Sequence, residues 1–198
     1  MNQVHELFDI SQEVLSCNVF PGDPFPELKA VLRMEEGAVY NLSELNMCVH
    51  NGTHVDAPFH FIREGKTVGQ IPLSTWTGDC FVACHEGSVS AEDAKSILKK
   101  AGKAGADKRI LIAGKAVLTE EGASVFAESG LLLIGNESQT VGPQEAPMKV
   151  HLILLGAGVV LLEGVVLSGI EEGKYFLNAA PINLYSSDGA PCRAWLMR

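Results

Sequence analysis

The longest apolar stretch of this sequence, Val150 to Leu167, most constrains how the chain can fold. Its length could suggest a membrane span, but it contains the ionisable residues His151 and Glu163 and is interrupted by glycines. These residues disfavour a transmembrane helix, so the stretch predicts two short buried elements joined at a glycine turn. The fold must therefore enclose both elements in its core.

The first of these elements is predicted to be a helix. Pro147 suits the first turn of a helix and Gly156 suits its end, so the letters MKVHLILL between them favour a helix. A strand over residues 151–155 stays an alternative, because apolar runs this short are ambiguous by period alone. Residues 159–166 are predicted to be a strand.

Other helices and strands alternate along the chain. Ser90 is a predicted helix N-cap with an acidic residue three positions later, and this helix is expected to end before Gly102. Thr119 caps a further helix that ends before Gly130. Buried strands are predicted at residues 80–84, 109–113 and 131–134. This interleaving favours an α/β or α+β fold with a mixed sheet, and we predict the α/β class with one domain over residues 1–198.

Composition excludes several classes of protein. Of the 198 residues, 46% are hydrophobic and 20% are charged, which is too apolar for a disordered chain. The 15 Lys and Arg against 24 Asp and Glu give a net charge of −9, which argues against nucleic acid or an anionic membrane as the main partner. The opening letters MNQVHELFDISQEV lack the regions of a secretory signal, so we expect a cytoplasmic protein that binds a small-molecule substrate.

The five cysteines are expected to be reduced thiols, because their number is odd and no signal sequence is visible. Cys80, Cys84 and His85 could suggest a metal site. However, the run CFVACH resembles an apolar strand, and no second Cys/His pair stands at zinc-finger spacing. Buried strand cysteines are therefore the preferred interpretation. His5 and His85 belong to no cluster and are not predicted to be functional.

The candidate functional side chains are concentrated in an eleven-residue segment, HNGTHVDAPFH, from His50 to His60. A helix would place His50 and His54 on one face, but glycine, proline and β-branched residues make this segment a poor helix. On a strand, every second residue from 50 to 56 points to the same face. Gly52 would then leave space between the two imidazoles, and Pro58 would end the strand and present His60 nearby.

The strand interpretation predicts a metal site. Two imidazoles and one carboxylate on one face, those of His50, His54 and Asp56, form a three-ligand site with an open position. An open position admits a water molecule whose pKa the ion lowers towards neutrality. His60 is left beside the metal, and histidine has a suitable pKa for moving a proton at neutral pH.

His151 and Glu163 are the ionisable residues of the most apolar part of the chain. Burying such groups without a partner is costly, and a metal is one of the few partners that stabilises both. A satisfied hydrogen bond in the core is the alternative.

The segment HNGTHVDAPFH resembles the H-x-G-T-H-x-D-x-P-x-H motif of the cyclase family of metal-dependent hydrolases, which includes bacterial kynurenine formamidases and isatin hydrolases. Further matching segments extend the resemblance over most of the chain. They are Phe20-Pro-Gly-Asp-Pro, the loop Gly135 to Pro143, the pair His151 and Glu163, and Asp188-Gly-Ala-Pro-Cys-Arg. The resemblance implies a swivelling β/β/α domain that forms homodimers or larger homo-oligomers.

The resemblance also implies a role for each matching residue. It implies two divalent metal ions, with zinc as the first choice and manganese as the alternative. The implied ligands are His50, His54 and Asp56 for the first ion, and a bridging Asp56 with His151 and Glu163 for the second. His60 would be the proton donor and acceptor, and Phe20 would lie near the substrate ring.

The activity implied by the resemblance is hydrolysis of a small amide. A hydroxide generated at the metal would attack the carbonyl group, and His60 would pass a proton to the leaving nitrogen. Arylformamides such as N-formylkynurenine, a substrate of tryptophan catabolism, are expected first and isatin-like cyclic amides second. Residues 135–143 lack the Asp and the Ser spacing usual in formamidases, and residues 113–119 lack their longer insertion. A non-catalytic metal- or ligand-binding domain on the same scaffold is the other alternative.

Overall fold

A curled sheet of nine strands is the framework of the fold. The computed structural model describes residues 6–198, so His5 lies outside the described residues. Within these residues the strands are β1 (Leu7–Asp9), β2 (Glu27–Leu32), β3 (Leu42–Asn46), β4 (His54–Asp56), β5 (Thr77–Cys84), β6 (Gly87–Val89), β7 (Arg109–Ala113), β8 (Ala116–Leu118), β9 (Leu133–Asn136), β10 (Val160–Glu163), β11 (Gly173–Asn178), β12 (Gly189–Pro191) and β13 (Trp195–Met197). The helices are α1 (Leu73–Trp76), α2 (Ala91–Ala104), α3 (Glu120–Glu128) and α4 (Met148–Gly156).

The centre of the sheet is parallel and both of its flanks are antiparallel. The strands lie in the order β1-β13-β11-β5-β7-β9-β10-β4-β12. Neighbours from β5 to β10 pair in parallel, whereas the outer neighbours pair antiparallel. Buried apolar strands joined through helices produce such a parallel centre. The predicted α/β class with a mixed sheet is confirmed.

Each central strand divides its side chains between two cores. On β5, Phe81 and Ala83 face one core and Cys80 and Val82 face the other, as the two-residue period of a strand requires. Helices α2, α3 and α4 cover the first core. The antiparallel strands β4, β11, β12 and β13 contribute to the second core.

Helix α2 begins where the sequence predicts but ends later. The Ser90 hydroxyl accepts the Asp93 backbone N–H, and the Asp93 carboxylate accepts the Ser90 backbone N–H, which forms a capping box. The predicted end before Gly102 is wrong, because the helix continues to a left-handed Gly105 with φ 64°. Continuing the helix places Ala104 against the first core.

The apolar stretch of residues 150–167 folds into α4 and β10, joined at Gly158 with φ 79°. The strand alternative for residues 151–155 is wrong, because α4 buries side chains at helical spacing: Val150, His151, Leu154 and Leu155. In the part of the chain that the structure describes, no helix is both long and apolar enough to cross a membrane.

Other predicted elements are found with shifted bounds. The helix capped by Thr119 is confirmed as α3, and the strand at residues 109–113 is confirmed as β7. The strand predicted at 131–134 covers 133–136, and the strand predicted at 159–166 covers only 160–163. The bounds shift because strand pairing between β9 and β10 begins only at Leu133 and Val160.

Cys80 and Cys84 both lie on β5, but only Cys80 is buried. Burial raises the pKa of the Cys80 thiol to about 12. The expectation of a second buried cysteine is wrong, because Cys84 stands at the exposed end of the strand. His85 Nε2 lies 3.1 Å from the Ser88 carbonyl oxygen. All five cysteines are free.

Strands β2 and β3 form a hairpin that exposes apolar side chains, here called the arm (residues 27–46). Leu28 stands opposite Leu45, and Leu32 stands opposite Leu42. All four side chains are exposed, although they are large and apolar. A two-stranded hairpin is only marginally stable by itself in water, so the arm is a candidate contact surface.

We expect substitution by alanine to change the free energy of unfolding in opposite directions at Gly102 and Gly135. A Cβ at Gly102, inside α2, would meet nothing within 4 Å, so Gly102→Ala should raise the free energy of unfolding by about 0.5–1 kcal/mol. A Cβ at Gly135 in β9 would lie 2.3 Å from the Leu162 carbonyl oxygen, so Gly135→Ala should lower it by about 1–3 kcal/mol. Denaturant-induced unfolding measures both changes. Destabilisation by Gly102→Ala would contradict a helix that continues through this residue.

Candidate metal centre

Strand β4 is three residues long and carries His54 and Asp56 on one face. The prediction that this strand already includes His50 and Gly52 is wrong. Residues 49–53 form turns and bends, and Gly52 has φ 63°, a left-handed conformation outside the strand region. His50 therefore reaches the site from a turn. The glycine serves the backbone conformation and is not a spacer between imidazoles.

Strand β10 and helix α4 bring distant residues to β4. Glu163, at the end of β10, pairs directly with His54, so both side chains leave the sheet on the same face. Helix α4 packs against β10 and adds His151. These three residues and Asp56 are each 3% exposed or less. The expected burial of His151 and Glu163 is confirmed.

Imidazoles and carboxylates alternate around this buried cluster. His54 Nε2 lies 3.5 Å from Asp56 Oδ1 and 3.4 Å from Glu163 Oε2. His151 Nε2 lies 3.6 Å from Asp56 Oδ2 and 3.3 Å from Glu163 Oε1. These separations exceed the roughly 2.7–2.9 Å of charge-assisted hydrogen bonds. Ligand atoms about 2.1 Å from one tetrahedral ion lie about 3.4 Å apart, so the spacing suits groups that share a metal.

One buried oxygen of the cluster lacks a hydrogen-bond partner. Asp56 Oδ2 accepts no hydrogen bond, although the residue is 1% exposed. Leaving a buried carboxylate oxygen unpartnered is costly, and a cation removes that cost. Imidazole nitrogens with carboxylate oxygens form a donor set that suits zinc, manganese and similar ions. The residues present therefore fit a divalent metal ion.

The backbone orients two of the imidazoles. His54 Nδ1 donates to the Gly52 carbonyl oxygen at 3.0 Å, and His151 Nδ1 donates to the Pro147 carbonyl oxygen at 2.9 Å. A donating Nδ1–H leaves Nε2, which faces the carboxylates, as the nitrogen available to a metal ion. Metal-binding histidines are oriented by the same kind of hydrogen bond, so both rings are oriented as metal ligands would be.

Electrostatics keep both carboxylates of the cluster ionised. Burial opposes ionisation of Asp56, but the neighbouring imidazoles of His151 and His50 hold its pKa well below the ordinary value. Burial and the charge of Asp56 oppose ionisation of Glu163, yet neighbouring imidazoles hold its pKa below the ordinary value. Burial also disfavours protonated imidazole, but the carboxylates raise the pKa of His50 to about 11 and that of His151 to about 10. The centre is therefore strongly attractive to positive charge.

His50 and His60 lie at the outer side of the cluster. His50 Nδ1 lies 2.8 Å from Asp56 Oδ1, and His60 Nε2 lies 4.0 Å from Asp56 Oδ2. A short 3₁₀ turn, Pro58–His60, follows β4 and positions His60, as expected from the proline. Asp188, to which the motif assigned no role, contacts both rings. The sequence pointed to Asp188 only through its place in the segment Asp188-Gly-Ala-Pro, which matches the family.

The cluster lines one side of a cavity of about 260 Å³. Phe20, predicted to lie near a substrate, lines this cavity as well. Its other walls were not predicted from the sequence: Asp23, Phe61, Gln139, Thr140 and Pro147. Asp23 and the loop residues could have been found from the sequence, because they lie in the segments around Phe20 and over residues 135–143 that match the family. Phe61 had no signal beyond its position next to His60.

The structure places all six predicted metal and proton-transfer residues around one centre: His50, His54, Asp56, His60, His151 and Glu163. Their spacing groups Asp56 with His50 and His60, and again with His54 and Glu163. The resemblance had grouped His54 with His50. Asp56 belongs to both groups, as a bridging ligand would. Which residue binds which ion stays a prediction.

Fold and site together define an α/β protein with a buried centre that fits a divalent metal ion. The family described as "Putative cyclase" matches residues 8–143, and the chain belongs to this cyclase family. A predicted metal-dependent hydrolase from Bacillus stearothermophilus is 24% identical, with 98% of each chain covered and a TM-score of 0.80. A potential metal-dependent hydrolase with cyclase activity is 25% identical, with 98% of each chain covered and a TM-score of 0.79. Isatin hydrolase A from Labrenzia aggregata is 18% identical, with 98% of this chain and 93% of that chain covered and a TM-score of 0.81.

Replacing His54 should remove metal and its stabilising effect together. Because metal binds the folded state, the wild-type protein in excess metal should gain about 3–4 kcal/mol in free energy of unfolding at 100 to 1,000 times Kd. His54→Ala should lose most of this gain and most of its bound metal. His85→Ala, outside the cluster, is the matched control and should keep both. Elemental analysis and thermal unfolding with and without chelator measure the difference, and an unchanged metal content in His54→Ala would exclude His54 as a ligand.

Proposed function

We propose that this protein is a metal-dependent hydrolase that cleaves the C–N bond of a small amide. The observation that carries the proposal is that a buried, charged imidazole–carboxylate centre lines an open cavity. A structural zinc site is closed by four protein ligands, whereas a catalytic site keeps room for water and substrate. The two structural relatives described as metal-dependent hydrolases support this interpretation.

Each group of the centre contributes a separate function to such a reaction. A divalent ion would supply Lewis acidity for the amide carbonyl and activate a water molecule for attack. Asp56 and Glu163 provide the negative charge that holds the ion. His60 lies at the cavity with its side chain 27% exposed, close enough to the cluster to exchange protons there. It would take a proton from the attacking water and give one to the leaving nitrogen.

The substrate proposed first is an arylformamide of the N-formylkynurenine type, which would be cleaved to the aryl amine and formate in tryptophan catabolism. Phe20 and Phe61 offer apolar rings to an aryl group in the cavity. Isatin-like cyclic amides are the second candidate, supported by the similarity to isatin hydrolase A. Gln139 lines the cavity and belongs to the loop of residues 135–143 that lacks the usual formamidase pattern, so the residues lining the cavity favour neither substrate class by themselves.

A substrate panel tests the function directly. The metal-loaded protein should hydrolyse N-formylkynurenine or related formanilides with kcat well above that of metal-free protein. Isatin and cyclic imides in the same panel distinguish the second candidate. Inactivity towards the whole panel, at full metal occupancy, would favour a non-catalytic metal- or ligand-binding domain.

We propose two ions per chain, zinc or manganese, because a second ion would leave the centre with a net positive charge. Asp56 and Glu163 bring a charge of −2, which one divalent ion would cancel. A second ion leaves a net positive charge that can stabilise the oxyanion of the transition state. Titration with zinc should reach two equivalents, the second bound more weakly. Full activity at one equivalent would contradict the two-ion proposal.

His60→Ala separates proton transfer from metal binding. If His60 only moves protons, the variant should keep its metal content and melting temperature. Its kcat should fall on the order of a hundred- to ten-thousandfold, the usual size of a general acid–base contribution. His54→Ala, prepared in parallel, should lose metal as well as activity. If both variants lose metal equally, His60 is a ligand, and the proton-transfer role belongs elsewhere.

The homo-oligomer expected from the resemblance is proposed to form through the arm. Leu28 and Leu45 are exposed on the arm, which packs mainly against itself. Both ends of the arm lead to the centre, because Asp23 lines the cavity before β2 and His50 follows β3. A second copy covering this apolar face would stabilise the arm and the site together. Sedimentation velocity should show a dimer or larger assembly that Leu28→Lys dissociates.

A further inference from the structure

Asp188 joins two imidazoles of the site through a single oxygen atom. Its Oδ2 lies 2.8 Å from His50 Nε2 and 3.2 Å from His60 Nδ1. The His50 and His60 rings stack with their centroids 4.1 Å apart and an interplanar angle of 33°. This stacking allows one N–H from each ring to reach the same oxygen.

The backbone holds Asp188 at this position. The residue directly precedes β12, where Gly189 pairs with Asp56 of β4, and the Asp188 carbonyl oxygen accepts the Ala57 N–H at 2.8 Å. A Cβ at Gly189 would lie 2.5 Å from His50 Cε1, so the ring packs directly on this backbone. Asp188 is thus tied to the same strand that carries the metal cluster.

An ionised carboxylate only accepts hydrogen bonds, so it selects one tautomer of each neighbouring neutral imidazole. His50 then donates to Asp188 through Nε2–H, which leaves Nδ1, 2.8 Å from Asp56 Oδ1, as the nitrogen that faces the cluster and would bind a metal ion. His60 donates through Nδ1–H and keeps the Nε2 lone pair on the side of the cluster. The two rings therefore present opposite nitrogens to the centre.

We propose that Asp188 is a positioning residue that fixes the orientation and tautomer of both His50 and His60. One carboxylate thereby orients both the proposed metal ligand His50 and the proposed proton-transfer group His60. The kinetic part of this inference rests on the proposed hydrolase function. Its metal-binding and tautomer parts do not need any substrate.

The first experiment measures metal affinity and turnover of Asp188→Asn. The amide keeps the shape of the carboxylate but is neutral and carries an NH2 donor that can face the rings in place of the oxygen, so it no longer requires an N–H from each ring. Outer-sphere partners of metal ligands are typically worth about 10–100-fold in metal affinity or activity. We expect losses of that size in zinc affinity, from competition with a chromophoric chelator, and in kcat at saturating zinc. Asp107→Asn, at an exposed position, controls for the lost charge and should change neither.

The second experiment observes the tautomers directly. Nitrogen-15 NMR of zinc-loaded wild-type protein, at a pH where His60 is neutral, should show His60 protonated at Nδ1. In Asp188→Asn the two tautomers of His60 should mix. A wild-type His60 protonated at Nε2 would overturn the proposal, and this measurement holds even if the variant fails to fold.

A double-mutant cycle separates a positioning role from a general structural one. If Asp188 affects turnover through His60, Asp188→Asn should cost less than about threefold in kcat in a His60→Ala background, while zinc affinity still falls about 10–100-fold. Additive losses in kcat would overturn the link to His60. If the protein hydrolyses no amide, the tautomer and affinity measurements still decide the proposal, and only the proposed function fails.

Discussion

The pairing of β4 between β10 and β12 is the constraint on which the rest of the site depends. It fixes His54 opposite Glu163 and Asp56 opposite Gly189. Because side chains alternate along a strand, a shift by one residue would turn His54 and Asp56 towards the second core, where Val55 now packs. An ionised carboxylate there would have no partner. Sheet register and cluster electrostatics therefore stabilise the same arrangement.

The buried cluster contributes to function more than to stability. Well-packed apolar side chains are often as stable as a buried ionic group or more so, whereas removing one member of such a group is strongly destabilising. Here Asp56 and Glu163 are retained beside several imidazoles, and Asp56 Oδ2 is left without a hydrogen bond. Such an oxygen is unfavourable in a finished core but useful as a position for a cation. The unpartnered Asp56 oxygen lies where the cavity meets the sheet.

The sequence contained most of the site because its chemistry is local. His50, His54, Asp56 and His60 lie within eleven residues, and His151 and Glu163 stand out against an apolar background. The geometry of the turn at Gly52 was not predictable, since strand periodicity carries no information on a residue with positive φ. The end of α2 is accompanied by packing of Ala104 against the first core, which only tertiary structure decides. Asp188 was missed for the same reason: its contacts span more than a hundred residues of sequence.

The position of β4 in the sheet also determines when the centre can exist during synthesis. Its two sheet neighbours, β10 and β12, come much later in the sequence than β4. While a ribosome is still extending the protein, the segment of residues 50–60 has neither its opposing carboxylate nor its covering helix. Domains fold from the N-terminus as they emerge, but contacts of this sequence separation must wait for loop closure. A metal ion would therefore bind only after β10, β12 and α4 have been synthesised and have packed around β4.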